Sequence, residues 1–236
     1  MRKLNYPDGG PSINGQRLAQ DLAEQGLAIT REDVLEYVKT YFGGDVTAVT
    51  GIDIPEWAIS VGRGAFEGFT SLREVNFSEG LRVIDSFAFM ACPIERLRFP
   101  NGLQYIEDSA FAQNPVLEHV KIPPEVVRIS YGAFSHCPEL NNVEFVRNGY
   151  TVSLGDEAFG FDPKLKDFPH GLMQRRFTPP RYMGNDVESI HFIFVGSPCF
   201  KKFLKNLTFS ERMEGRRLIR AAKRDLRLAK KKQTEN

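Results

Sequence analysis

Short apolar alternations recur along the middle of the chain at a spacing of about 23 residues. Each has the frame L-x-x-L-x-L, in which L is any apolar residue and the residue between the last two is mostly polar. Because side chains alternate along a β-strand, each frame predicts a short strand with one buried and one exposed face. The copies are Val49/Ile52/Ile54, Leu72/Val75/Phe77, Ile94/Leu97/Phe99, Leu117/Val120/Ile122, Leu140/Val143/Phe145 and a truncated Leu165/Phe168.

An Ala-Phe pair recurs five times with the same period, and the steps between its Phe residues are 23, 22, 23 and 25. An aliphatic residue lies five positions before each Phe. A period in the twenties indicates a solenoid, in which stacked units bury a core that one unit cannot bury alone. We therefore expect the Phe rings to form one continuous column, each worth roughly 2–3 kcal/mol as an upper estimate. The Phe residues are Phe66, Phe89, Phe111, Phe134 and Phe159.

Several copies carry a further signature, A-F-x-x-C/N-P, as in the segments 88–93 and 133–138. Over about residues 46–171 the chain therefore resembles the BspA-like, or Treponema pallidum-type, leucine-rich repeat family. The resemblance implies an α/β repeat solenoid: a right-handed leucine-rich-repeat coil with a parallel sheet on its concave face. It also implies protein binding, in adhesion or host interaction, and no catalytic residues.

The flanks of the repeats predict helices. Thr30 and Asp33 form an acidic variant of a capping box at a helix start, and Gly43-Gly44 ends that helix. Open solenoid ends expose strand edges and core, so they need caps. We predict an N-terminal helical cap over residues 1–45, five to six repeats over 46–171, a C-terminal cap over 172–209 and a basic helical extension over 210–236.

The exposed strand positions between the buried ones are the candidate binding residues. Neighbouring strands in register would place four cationic side chains close together, and these would repel each other unless an anionic partner neutralised them. The alternative interpretation is a solvated polar face with pairing between cations and acids on adjacent strands. The central residues are Arg96, Arg98, His119 and Lys121, and the marginal ones are Glu74, Asn76, Asn142 and Glu144.

The C-terminal segment 210–236 holds ten Lys or Arg residues against four acids, a net charge of +6 that the overall +1 conceals. Three interpretations stay open: an apolar stripe packed on the body with its charges solvated, a site for an acidic protein or RNA, and docking on an anionic membrane. Nucleic-acid or anionic-surface binding is therefore the alternative function. Its candidate residues are Arg216, Arg217, Arg220, Lys223, Arg224 and Arg227.

Composition limits the other possibilities. With 42% hydrophobic and 26% charged residues, the chain is typical of a water-soluble protein, and no apolar run has the length of a transmembrane helix. The first ten residues lack the apolar core of a secretory signal, so we expect a cytoplasmic protein or export without a classical signal peptide. Cys92 and Cys137 occupy equivalent positions two repeats apart, too far for a disulfide, and are predicted to be small buried hydrophobic residues.

The sequence offers no set of residues for catalysis. Its four His residues show no metal-ligand spacing with one another or with Cys. The glycines of the segment 62–68 resemble a dinucleotide-binding fingerprint, but the third is one place late and no helix-forming stretch follows. We therefore predict a non-enzymatic protein–protein interaction module, without cofactor or metal, that presents a rigid concave face to a partner protein.

Overall fold

A computed structural model describes residue 21 and residues 23–146, 152–167, 177–178 and 197–199. The elements whose bounds are described are one α-helix, eleven short strands and a 3₁₀ turn at Val46–Ala48. The elements are, in order, β1 Ala28–Ile29, α1 Arg31–Phe42, β2 Gly51–Asp53, β3 Ser60–Val61, β4 Glu74–Asn76, β5 Val83–Ile84, β6 Tyr105–Ile106, β7 His119–Ile122, β8 Arg128–Ile129, β9 Asn142–Phe145, β10 Val152–Leu154 and β11 Phe177–Thr178.

The strands stack into a parallel β-solenoid. Seven of them form one sheet in the order β1-β3-β5-β6-β8-β10-β11, and β2 with β4 and β7 with β9 form two further pairs. Every pairing is parallel. Equivalent residues of successive coils are paired with one another, as Val61 is with Ile84 and Ile84 with Ile106. The repeat solenoid with a parallel sheet is therefore confirmed.

The position of the longest sheet differs from the prediction. We expected it on the L-x-x-L-x-L strands, but it runs through the aliphatic column five residues before each Phe. In the frame of residues 94–99 only Arg96 pairs, through a single bridge to Glu74. This frame follows the shorter step of the repeat. In the turn before this frame, the Ile94 N–H donates to the carbonyl of Cys92, two residues earlier, at 2.9 Å. In other coils the equivalent hydrogen bond joins residues that are three positions apart.

The Ala-Phe rings form the predicted column at the centre of the solenoid. Phe66 stacks on Phe89 with ring centroids 5.1 Å apart and planes 5° apart. The next three steps, to Phe111, Phe134 and Phe159, span 5.3, 5.3 and 5.4 Å, with interplanar angles of 9°, 4° and 1°. All five side chains have no exposed surface. The spacing of these rings is that of coils held together by strand pairing.

Each Ala-Phe pair lies in a turn that has a left-handed residue on either side. Three of these positions are occupied by Gly, but seven are occupied by other residues, for which this conformation is strained. Hydrogen bonds to the next coil hold the turns in place: Phe66 N–H donates to the Ala88 carbonyl and Phe89 N–H to the Ala110 carbonyl, both at 2.8 Å. The left-handed residues are Gly64, Phe87, Ser109, Gly132 and Glu157 before the pairs, and Gly68, Ala91, Gln113, His136 and Phe161 after them.

A buried polar ladder follows the Phe column at the C/N position of the signature. The Cys92 thiol donates to the Phe66 carbonyl one coil earlier, at 3.0 Å, and the Asn114 amide donates to the Phe89 carbonyl, also at 3.0 Å. Burial raises the pKa of the Cys92 thiol to about 12, so this sulfur stays a neutral donor. The prediction that the signature cysteines are buried is confirmed for Cys92 and Cys137.

The helix predicted from Thr30 is present as α1, with a complete capping box and a left-handed Gly43 at its end. Its first residue contacts the first coil of the solenoid. In the second coil, the carbonyls of Ala88 and Met90 accept N–H groups from the coil before it. The equivalent carbonyls of the first coil, Ala65 and Glu67, instead accept hydrogen bonds from Arg31, at 3.1 and 3.0 Å.

At the other end, residues from the predicted C-terminal cap contact the last described coil. Strand β11 pairs with β10. The Ser197 hydroxyl accepts the Asp162 N–H at 2.8 Å and donates to the Phe159 carbonyl at 2.9 Å, and the Cys199 N–H reaches the Leu165 carbonyl. Within the described residues, no helix has the length and apolar character needed to cross a lipid bilayer.

We expect Phe111→Ala to lower the free energy of unfolding by about 3–5 kcal/mol, because it opens a cavity in the middle of the ring column. Tyr41→Ala is the matched control, since Tyr41 is 70% exposed and its loss leaves the core intact. Urea unfolding of both variants measures the difference. Equal stability of the two variants would show that the column does not hold the coils together.

A second prediction concerns Asp162, which occupies the ladder position of Asn114. Burial raises the pKa of its carboxyl to about 8, from 3.8, and one carboxylate oxygen accepts the Cys137 N–H at 2.8 Å. Between these pH values the folded state keeps a proton that the unfolded state releases, so the unfolding free energy falls as pH rises from about 4 to about 8.

Asp162→Asn removes this titration while keeping an acceptor for the Cys137 N–H, and it adds a donor like that of Asn114. We expect the variant to be more stable than the parent near pH 8, by an amount on the order of a few kcal/mol. We also expect the difference to shrink toward pH 4. Urea unfolding across this range measures it, with the exposed Glu125→Gln as control. A constant difference between parent and variant would contradict the assignment to Asp162.

Candidate protein-interaction face

The exposed residues of the frame strands form one polar surface, called here the strand face. It consists of the residues on either side of the buried Val75, Leu97, Val120 and Val143. This alternation is the one that the sequence predicted, with Glu144 half-buried and the other seven exposed. The strand face contains Glu74, Asn76, Arg96, Arg98, His119, Lys121, Asn142 and Glu144.

The strand face is divided where the frame sheet is interrupted. On one side the backbone bridge places Arg96 beside Glu74. On the other, His119 is in register with Asn142 and Lys121 with Glu144. Within the described residues, no strand pairing joins the 94–99 frame to β7. The four cations predicted to form one continuous patch are therefore distributed over two separately paired parts of the surface.

Four of the eight strand-face residues have a local partner. Lys121 Nζ lies 3.4 Å from Glu144 Oε1, and His119 Nε2 lies 3.7 Å from the oxygen of Glu118. The Asn76 amide donates to Asp53 at 2.8 Å. The interpretation as cross-strand pairing thus holds for Lys121 with Glu144. Exposed pairs of this kind contribute only about 0–1 kcal/mol to folding, so they are readily exchanged for contacts with a partner.

Arg96 and Arg98 differ from the other cations of the strand face. Both are exposed, and among the described residues neither guanidinium has an ion pair or a side-chain hydrogen bond. Glu74, the acid next to Arg96 in the bridge, does not form an ion pair with it. Two donors with planar, bidentate geometry are therefore available on the frame that has the least strand pairing.

Sequence reasoning missed charged residues that flank the strand face. Arg73 pairs with Glu95 at 2.9 Å, and Lys164 pairs with Glu139. Each pair joins adjacent coils, because its members are one repeat apart, at separations of 22 and 25 residues. Aligning charges at the repeat spacing would have found both. These ion pairs neutralise charges at the edge of the strand face. The arginines without an ion pair therefore distinguish the strand face from its edge.

The described residues hold no group of three or more His, Cys, Asp or Glu side chains placed to bind a metal ion. The thiols of Cys92 and Cys137 are buried, and burial raises the pKa of both, which keeps them protonated at neutral pH. Their sulfurs serve as hydrogen-bond donors inside the turns. These groups therefore support the fold.

The predicted basic residues Arg216, Arg217, Arg220, Lys223, Arg224 and Arg227 lie outside the described residues. Binding of nucleic acid or an anionic surface through this segment stays a prediction that rests on its sequence charge.

Repeated coils, parallel strands and a stacked aromatic column together define a leucine-rich-repeat solenoid. A model of the BspA type leucine-rich repeat region matches residues 39–166 in six copies. The chain belongs to this family, as the A-F-x-x-C/N-P signature predicted. Leucine-rich repeats are generally protein-interaction modules. None of the curated proteins matches this chain.

Solved structures that this chain matches include a leucine-rich repeat protein of T. pallidum, at 24% identity and a TM-score of 0.42, over 58% of this chain and 72% of that one. The pneumococcal vaccine antigen PcpA is 18% identical, with a TM-score of 0.40, over 59% of this chain. A leucine-rich repeat protein from Bacteroides ovatus is 26% identical over 44% of this chain, with a TM-score of 0.35. The match spans 33% of the length of each of the last two proteins.

If the strand face is a surface for a partner, its exposed residues should be dispensable for folding. We expect Arg98→Ala to change the unfolding free energy by less than about 0.5 kcal/mol, because the side chain has no partner among the described residues. The neighbouring Leu97→Ala should cost about 2–4 kcal/mol, because Leu97 is buried in the core. Urea unfolding compares the two, and a large cost for Arg98→Ala would assign this arginine a structural role.

Proposed function

We propose that this protein is a non-enzymatic interaction module that binds another protein through the strand face. The main support is that Arg96 and Arg98 are both exposed and have no ion pair among the described residues. Carboxylates of a partner would complete the bidentate hydrogen bonds that these guanidinium groups can donate. The expected partner is therefore a protein with an acidic patch.

The rigidity of the solenoid supports this function. The arginines flank Leu97, which belongs to the same buried cluster as the ring column. A preformed surface loses little conformational entropy when it binds, so a larger share of the contact energy becomes affinity. His119 and Lys121, with Asn142 and Glu144, extend the proposed contact across the second paired part of the strand face, while Glu74 and Asn76 lie at its other margin.

The segments that flank the repeats protect the two ends of the solenoid in this function. Arg31 donates to carbonyls of the first coil that, in later coils, accept from a neighbouring coil. Because an open end leaves such groups unpaired, we assign helix α1 the role of an N-terminal cap. The contacts of Ser197 and Cys199 favour the same role for the segment after the repeats. Membership of the BspA-type family favours adhesion or host interaction as the setting.

The decisive experiment reverses the charge of the two arginines. We expect the double variant Arg96→Glu, Arg98→Glu to lose the partner in a pull-down from nuclease-treated cell extract, quantified by mass spectrometry. The physical reason is that like charges then face the acidic surface of the partner. Nuclease treatment removes proteins that are captured only through nucleic acid bound to the basic segment 210–236.

The matched control is Lys39→Glu, Lys166→Glu, which changes the net charge equally at exposed sites away from Arg96 and Arg98. Circular dichroism and urea unfolding verify that both double variants are folded. The proposal requires proteins that are recovered by the parent and by the control but not by the arginine variant. Identical recovery by all three would remove the strand face as the binding site.

A further inference from the structure

A cavity of about 890 Å³ lies between helix α1 and the first strands of the solenoid. Residues of α1 form one wall, and residues of β2, β4 and the turn after β2 form the other. Its size is within the range of pockets that bind small ligands or a few peptide side chains. The sequence did not reveal it, because its two walls come from segments with different periodicities.

The walls of this cavity carry exposed aromatic rings. Tyr37 and Trp57 line it and are 48% and 53% exposed, and Phe42 lies beside Tyr37 with ring centroids 6.1 Å apart. Large rings that stay open to water next to one another mark a surface suited to binding, since covering them removes apolar area from solvent. Each wall of the cavity therefore presents an exposed aromatic ring.

The charged groups of the cavity are all acidic. Asp33, Asp53 and Glu74 line it, and no Lys, Arg or His occurs among its described lining residues. Asp33 is held in the capping box of α1 and Asp53 accepts the Asn76 amide, so both carboxylates are fixed in place by hydrogen bonds. Within the described part of the chain, none of the three has an ion-pair partner.

We propose that this cavity binds a segment of a partner protein that combines Lys or Arg with apolar residues. The cations would neutralise the three carboxylates, and the apolar side chains would cover the rings of Tyr37 and Trp57. A cation held near these rings would also gain from their negative faces. The required ligand has the opposite charge to the acidic patch expected at Arg96 and Arg98. The cavity, which shares Glu74 and Asn76 with the margin of the strand face, therefore has a specificity of its own.

The chain contains one tryptophan, so selective tryptophan fluorescence reports on Trp57 alone. The probes are two peptides with the same apolar residues, Leu-Lys-Phe-Lys-Leu-Arg and Leu-Glu-Phe-Glu-Leu-Glu. With the full chain, we expect a saturable change of Trp57 emission on titration with the basic peptide and none with the acidic peptide. No change with the basic peptide, or equal changes with both, would overturn the proposal.

Variants localise the binding. Asp53→Asn should weaken binding of the fluorescein-labelled basic peptide roughly tenfold, the equivalent of one lost charge contact. Trp57→Ala should weaken it by a similar factor in fluorescence anisotropy. Glu125→Gln removes an exposed acid on the turn after β7 and should leave the affinity unchanged. The side chains of Asp53 and Trp57 are exposed, so both variants are expected to fold, and thermal unfolding checks this.

Other outcomes would assign the cavity differently. If Asp53→Asn and Glu125→Gln weaken binding equally, the peptide responds only to overall charge, and the proposal fails. If Trp57 emission changes with protein concentration alone and sedimentation shows a dimer, a second copy of the chain fills the cavity, and the proposal also fails. The Arg96→Glu, Arg98→Glu variant should keep the Trp57 response, so the two sites can be rejected independently.

Discussion

The structure depends on the contact between equivalent residues of successive coils. Five Phe rings, from Phe66 to Phe159, lie nearly parallel, with centroids 5.1 to 5.4 Å apart. One coil could not bury its ring, because each face of the ring is covered by a neighbouring coil. Stability is therefore a property of the stack, and a change at one coil affects the coils on either side of it.

The turns that carry these rings need a second interaction, since their backbone is strained and their polar groups are buried. Hydrogen bonds between coils satisfy the N–H groups, and the buried ladder of Cys92, Asn114 and Cys137 satisfies further carbonyls. The first Ala-Phe turn, at Ala65-Phe66, has no earlier Ala-Phe turn beside it, and Arg31 occupies the position of the missing donors. The end of a solenoid thus leaves backbone carbonyls without donors, in addition to exposing core residues.

The outer surface is less uniform than the core. The strand face is divided between two separately paired parts, and its unpaired arginines lie on the frame with a single bridge. Acidic and aromatic residues collect at the N-terminal end, around Trp57. The two proposed binding regions therefore require ligands of opposite charge.

The repeat spacing alone was sufficient to predict the Phe column, the buried Cys92 and the alternation around Leu97. In a solenoid the neighbours of a residue are its own equivalents one period away, so periodicity specifies the packing. The spacing did not reveal that the frame sheet is interrupted near Arg96, because strand pairing depends on the backbone path of a turn that is one residue shorter. The spacing also could not show which ion pairs form. It places Lys121 beside Glu144 and Arg96 beside Glu74 in the same way, but only the first two form an ion pair in the described residues.

Tertiary structure also decided the features made by segments outside the repeat. The contact of Arg31 with the Ala65 and Glu67 carbonyls joins residues more than 30 positions apart. The cavity with Tyr37 and Trp57 on opposite walls requires the placement of a helix against strands. No periodicity relates these segments, so only their packing in three dimensions brings the groups together.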